Sequence, residues 1–412
     1  MEKEKNTVNV KDLIEELKNS PLYAMSLGGR ELYHSNFWAW LIEYGEKNKN
    51  NGEANPFLKT FLGEYYNDEY YTKTPKIERE KEHRDLTITF DDKDVFVIEN
   101  KLKSIATLEQ LERYENSVEF ELDKYGNIKT YKTRKNNGQE IKTGRNFKHG
   151  ILTGISEDII LPQDCSWHFL SYEQICNALS KICEKMNESN DNYFKEILSN
   201  YIKDTERISL IIKNVVPTKI DTWDMNKIDI LSNDDNQAKL SDIRMDDLCK
   251  KKWANEFAKQ LREKLNLDSP MREYELKIVS GFTNKQPLVE VFFRKGKDDL
   301  IGIQIQGMQY RRCFSKSGDK ETTLKERFAE LIEVNWLSPY KKNKEKEIQF
   351  MYSKENTMKY STNQQNDNYC SYKPSFIYQY RNLNEKNCSF EEILNSINKD
   401  MQFARQVLTK LG

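Results

Sequence analysis

Arg84-Asp85-Leu86-Thr87-Ile88-Thr89-Phe90, then Asp91-Asp92-Lys93-Asp94, then Val95-Phe96-Val97-Ile98-Glu99-Asn100-Lys101 is the stretch that decides how this chain folds. Two runs of β-branched and aromatic residues flank a cluster of turn formers, which is the pattern of a β-hairpin. Glu99 and Lys101 share parity, so they project from one face of their strand. An apolar strand that ends in Glu-x-Lys needs partners for those charges, because unpaired charge is costly to bury. A divalent cation supplies one. Whether Asp85 joins that face depends on the connection. A loop centred on Asp92 or Lys93 sets Asp85 opposite Glu99 or Lys101, whereas a two-residue turn at Asp92-Lys93 pairs it with Asn100.

If Asp85 and Glu99 converge, their carboxylates and the carbonyl of Asn100 form a hard oxygen donor set suited to Mg²⁺ or Mn²⁺. Such an ion lowers the pKa of a bound water and stabilises charge growing on a phosphate under attack. Lys101 then orients the attacking water or neutralises the phosphate. The competing reading is a surface hairpin whose Glu and Lys form a weak exposed ion pair.

Upstream, Glu31-Leu32-Tyr33-His34-Ser35-Asn36-Phe37-Trp38-Ala39-Trp40-Leu41 has the spacing of a helix over about residues 30–44. Glu31 and His34 share a face. Glu31 suits either a metal or the helix dipole, and His34 either a structural hydrogen bond or a general base. Downstream, Thr107-Leu108-Glu109-Gln110-Leu111-Glu112-Arg113-Tyr114 reads as a second helix. Gln110 and Tyr114 are i,i+4 neighbours on it. Gln110 also sits where a capping box begun at Thr107 would need it, and Tyr114 equally suits core packing. Among Glu78, Glu80 and Glu82, spacing does not choose which one completes an acidic cluster.

Taken in order, these segments resemble the PD-(D/E)XK nuclease superfamily over about residues 30–205, and Gln110-x-x-x-Tyr114 resembles the signature of its RecB-like and Cas4-like branch. Arg84 stands where the family's nominal proline would be. The resemblance implies an α/β restriction-endonuclease-like core, a mixed central sheet flanked by helices. It also implies Asp85, Glu99, Lys101, Gln110 and Tyr114 as catalytic residues. Asp85, Glu99, Asn100 and Glu31 become the metal ligands, and Mg²⁺ or Mn²⁺ the cofactor. The expected function is metal-dependent hydrolysis of phosphodiester bonds in DNA, with a restriction or anti-phage setting by analogy. Its rivals are a catalytically silent nucleic-acid-binding or scaffold protein, and an effector nuclease controlled by a ligand-sensing C-terminal domain.

At 412 residues the chain has room for two or three domains. A formal net charge of −1 excludes a globally basic nucleic-acid binder but not a local basic surface. One candidate is the insertion at 123–148, where eight Lys and Arg stand against two acids with Tyr125, Tyr131 and Phe147 interleaved. Lys132, Arg134, Lys135, Lys142 and Arg145 are its expected phosphate contacts. Seven scattered cysteines without a C-x-x-C pair and only four histidines argue against a zinc site. No stretch approaches eighteen apolar residues, and Met1-Glu2-Lys3-Glu4-Lys5 lacks a signal-peptide core, so a cytoplasmic location with no membrane partner is expected.

Residues 1–213 form the expected nuclease-like domain. The polar stretch 214–245, with Pro217 and Ser232-Asn233-Asp234-Asp235-Asn236, reads as a linker. Residues 246–412 read as an α+β domain for recognition, dimerisation or sensing, with strands expected at 300–314 and 347–352. Cutting both strands with one active site per chain would favour a homodimer.

Overall fold

The computed structural model describes residues 9–25, 31–50, 52–81, 84–90, 94–102, 104–107, 110, 111, 114, 149–159, 161, 165–186, 192–224, 239–265, 274–295, 298–316, 324–337, 370–373, 375–383 and 388–411, plus short strands between 119 and 140. Residues 91–93, Glu82 and the strand expected at 347–352 lie outside them. The chain divides into two compact units, residues 1–215 with 234–245, and residues 216–233 with 246–412.

The first unit is a helix-flanked mixed sheet. Helices α1 (Val10–Lys18), α2 (Pro21–Met25), α3 (Glu31–Asn48) and α4 (Pro56–Leu62) precede strands β1 (Lys76–Lys81), β2 (Arg84–Phe90) and β3 (Asp94–Lys101). Short strands β4 (Glu119–Leu122), β5 (Ile128–Lys132), β6 (Lys135–Asn136) and β7 (Gln139–Glu140) follow, paired as β4 with β5 and β6 with β7. Strands β8 (His149–Gly154) and β9 (Trp167–Ser171) and helices α5 (Tyr172–Lys185) and α6 (Asn192–Val215) complete the unit. The sheet order is β1-β2-β3-β8-β9, antiparallel through β3 and parallel from β3 onward.

Local sequence accounts for these elements. Asn55 caps α4 by accepting from the Phe57 and Leu58 amides, and Pro56 occupies the first turn, where no amide is needed. Ser171 and Gln174 form a reciprocal capping box at the start of α5. Helix α3 is apolar on most of its circumference, burying Phe37, Trp38, Ala39, Leu41 and Ile42 together with His34 and Ser35, as a helix enclosed by its neighbours must. The far end of the sheet depends on a close approach. A side chain at Gly150 would put its Cβ 2.4 Å from the Trp167 ring. Gly150→Ala is therefore expected to destabilise this unit by about 1–3 kcal/mol through overpacking. A thermal melt checks this, and an unchanged midpoint would refute it.

The β2–β3 ladder resolves the hairpin register. Phe90 pairs with Asp94 and Leu86 with Ile98, so three residues connect the strands. Continued by one step, the same register sets Asp85 opposite Glu99. Leu86, Ile88, Phe90, Phe96 and Ile98 are all buried on the face opposite that pair.

The second unit contains α7 (Asp246–Lys264), a six-stranded antiparallel sheet, α8 (Leu324–Glu333) and α9 (Phe390–Leu411). The sheet is formed by β10 (Glu275–Thr283), β11 (Gln286–Lys295), β12 (Asp298–Gln306), β13 (Gln309–Ser315), β14 (Cys370–Lys373) and β15 (Phe376–Asn382), in the order β10-β11-β12-β13-β15-β14. Helix α7 packs on β10 and β11, and α9 packs on β12. The run 300–314 is not one strand. Gly307, at φ +52°, turns β12 back into β13, so that Gln306 pairs with Gln309. Arg311 and Arg312 both find partners within this unit. Arg311 bonds Gln304, Gln306 and Gln309 and lies 4.5 Å over the Tyr378 ring, while Arg312 meets Asp400 at 2.6 Å.

Parts of 214–245 are packed rather than linking. Trp223 is buried and donates its indole N–H to Gly307 O at 2.7 Å within the second unit. Leu240, Ile243 and Met245 are buried in the first unit, where Tyr23 donates to Ile243 O at 2.7 Å. Isolated apolar residues in a polar run leave no periodicity to read. Among the described residues, no helix is long and apolar enough to cross a membrane.

Candidate active site

Strand β3 carries the centre of the site. Its apolar body is buried on both faces, and it ends in Glu99, Asn100 and Lys101. Glu99 is only 2% exposed. Its Oε1 receives Lys101 Nζ at 2.7 Å and Gln110 Nε2 at 2.9 Å, with the Tyr114 hydroxyl at 3.5 Å. Among the described residues, its Oε2 is buried and accepts no hydrogen bond. Such an orphaned carboxylate oxygen is costly to leave unbonded.

Asp85 is half-buried, and its Oδ2 accepts the Asn100 backbone N–H at 2.6 Å. The Asn100 side chain reaches the other face of the strand and donates to Glu31 O at 3.2 Å. Glu31 opens α3, and its carboxylate accepts from Ser104 Oγ at 2.7 Å.

Electrostatics tie these groups together. Burial pushes the Asp85 carboxyl up to about 6, against the pull of the Asn100 N–H and Lys101. Burial, reinforced by the charge of Asp85, pushes Glu99 up to about 7. Burial works against the Lys101 ammonium, yet Glu99, Glu31 and Asp85 outweigh it and hold its pKa above the ordinary lysine value. Burial and the Glu99 charge lift the Tyr114 phenol to about 12. Three carboxylates thus face one ammonium, a local excess of negative charge.

Gln110 is engaged through both its backbone and its side chain. Its backbone amide takes the Thr107 hydroxyl cap at 3.2 Å, while its side chain turns away to Glu99 and to Tyr114 Oη at 3.1 Å. The Tyr114 ring packs beside Val97, Leu111, Leu152 and Trp167. His34 is buried, with Nδ1 2.7 Å from the Tyr201 hydroxyl, which also receives Trp38 Nε1 at 2.8 Å. That is a structural network within the helical layer.

Of the three candidate glutamates, Glu82 lies outside the described residues, and Glu78 pairs with Lys76 at 3.2 Å. Glu80 contributes to raising the pKa of Asp85, and it adopts φ +54°, a conformation uncommon for a residue with a side chain. Strain of this kind gathers at functional sites. Arg84, Ser104 and Tyr172 were not expected here. Arg84 is buried and donates to Tyr114 O at 3.3 Å, tying the Gln110 helix to the strand of Asp85. Its only sequence signal was a charge where the family has proline. Nothing in the spacing marked Ser104 or Tyr172.

Among the basic residues of the insertion, Lys132 and Lys135 end β5 and begin β6, and their side chains lie outside the described set. Arg134, Lys142 and Arg145 also lie outside it.

Among the described residues, no three His, Cys, Asp or Glu side chains gather closely enough to hold a metal by themselves. The donor set nevertheless fits a hard cation. Glu99 Oε2 is free to bond, the charge excess is negative, and oxygen-binding ions complete their shells with backbone carbonyl, water and phosphate oxygens. No curated protein and no solved structure matches the chain. Residues 21–203, however, match the family model of the PD-(D/E)XK nuclease superfamily.

Proposed function

We propose that the N-terminal unit is a divalent-cation-dependent nuclease that hydrolyses phosphodiester bonds in DNA. One observation carries the reading. Glu99 is buried with one oxygen held by Lys101 and Gln110 and the other unbonded among the described residues, while Asp85 of the neighbouring strand accepts the backbone N–H of Asn100 beside it.

Asp85 and Glu99 would hold Mg²⁺ or Mn²⁺, with Glu31 and the Asn100 carbonyl as further oxygen donors. The bound ion supplies an acidified water and a Lewis acid for the phosphate. The protein's own groups set the geometry. The Asn100 N–H fixes the Asp85 carboxylate, and Gln110 and Lys101 fix that of Glu99. Lys101 presents a permanent positive charge beside the reacting phosphate. Gln110 and Tyr114 match the RecB-like and Cas4-like pattern and brace the catalytic carboxylate from the helix side. Lys132, Arg134, Lys135, Lys142 and Arg145 are the proposed contacts to the DNA backbone.

Incubation with supercoiled plasmid and with DNA and RNA oligonucleotides, in Mg²⁺, Mn²⁺ or EDTA, tests the proposal. DNA cleavage is expected with either ion, and none in EDTA or with Asp85→Ala. Robust cutting by Asp85→Ala overturns the assignment, and cutting of RNA alone overturns the substrate.

A further inference from the structure

We infer that Asn100, through its side-chain amide and with Tyr172 behind it, is a positioning residue that fixes the first turn of α3 and thereby sets the Glu31 carboxylate for cation binding. The inference rests on the nuclease reading and deepens it.

The observation is a buried amide at the one place on β3 where an apolar residue would pack more cheaply. Phe96 and Ile98 precede Asn100 on the same strand face, and both are buried. Asn100 is 0% exposed, so each of its polar atoms must find a partner there or cost stability. Nδ2 donates to Glu31 O at 3.2 Å. Oδ1 accepts from the Tyr172 hydroxyl and, at 3.4 Å, from Thr153 Oγ1. The same residue gives its backbone N–H to Asp85.

Glu31 is therefore held twice, by its carbonyl through Asn100 and by its carboxylate through Ser104. The far end of the clamp is also fixed. The Tyr172 ring lies edge-on to His34 at 5.5 Å and tilted against Trp38 at 5.5 Å, both residues of α3. One amide thus joins the strand that bears Glu99 and Lys101 to the helix that bears Glu31. Its polarity orients a ligand; packing alone would be served by leucine.

The test uses the full chain and Mn²⁺ as probe, with binding read by calorimetry. Tyr172→Phe removes one bond of the clamp while keeping the ring, and Asn100→Ala removes the whole amide. Each is expected to weaken Mn²⁺ binding by about ten-fold or more, the range seen when groups supporting metal ligands are lost. Glu31→Gln should weaken it at least as much. Combining Tyr172→Phe with Glu31→Gln should cost nothing further, because groups that act through one another are non-additive. A metal-free melt of Tyr172→Phe within a few degrees of wild type separates loss of aim from unfolding. Wild-type affinity in both clamp variants, or losses that add to that of Glu31→Gln, overturns the inference alone. Wild-type protein that binds no Mn²⁺ overturns it together with the nuclease reading.

Discussion

Lys101→Met is expected to reduce metal-dependent cleavage by roughly 10²–10⁴-fold while leaving the fold intact. The side chain of Lys101 is 12% exposed and lies 2.7 Å from Glu99 Oε1. Surrounding carboxylates hold its pKa above the ordinary lysine value, against the opposing effect of burial. It therefore remains an ammonium at any working pH, and it acts as a charge and a donor rather than a proton acceptor. Methionine keeps most of the stem's volume and removes the charge.

Two measurements check this. Single-turnover cleavage should collapse, whereas DNA binding in Ca²⁺ should change far less, because one phosphate contact among many is lost. Glu99 is then left buried without its cation, so the variant's melting point should fall as pH rises above 7. Below that pH the already elevated carboxyl takes up a proton and the cost disappears. Cleavage within ten-fold of wild type would remove Lys101 from the mechanism.

How much of this was legible in the sequence follows from which signals are local. The β2 and β3 strands were readable because β-branched residues alternate around a turn cluster. Their register was not, since residues 91–93 are compatible with turns of different length, and one step decides whether Asp85 meets Glu99 or Asn100. The Gln110–Tyr114 pair was readable as i,i+4 spacing, but the partners of Gln110 were not. Backbone and side chain of Gln110 serve different partners. Asn100 entered the reading through its carbonyl, and its side-chain role depends on Tyr172, 72 residues away. A single glycine in an alternating run concealed the turn at Gly307. In 214–245 the buried Trp223, Leu240, Ile243 and Met245 are too sparse to form a pattern. Long-range partners and lone anchors leave no periodic trace.

Asp85→Asn is expected to stabilise the metal-free N-terminal unit at pH 8 while abolishing cleavage. Burial raises the Asp85 carboxyl from its ordinary 3.8 to about 6, and Glu99 from 4.5 to about 7. The folded state thus holds these protons more tightly than the unfolded chain does. The sign follows by linkage: the stabilising contribution is fully present below about pH 4 and is lost as pH rises through the folded values near 6 and 7. At pH 8 both groups are ionised and the penalty is complete. Asparagine retains the acceptor for the Asn100 N–H and carries no charge for Glu99, Glu31 or Glu80 to repel. The gain should be roughly 1–3 kcal/mol. At about 2–4 °C per kcal/mol for a unit of this size, it raises the melting point by several degrees in EDTA. Mg²⁺ should invert the ranking. It stabilises wild type by mass action and does little for Asp85→Asn, which has lost a ligand. At pH 4 the two proteins should melt together, because wild-type Asp85 is protonated there. A variant less stable than wild type in EDTA at pH 8, or equally stabilised by Mg²⁺, would mean that this carboxylate pair is not held in the fold at the expense of stability for the sake of a cation.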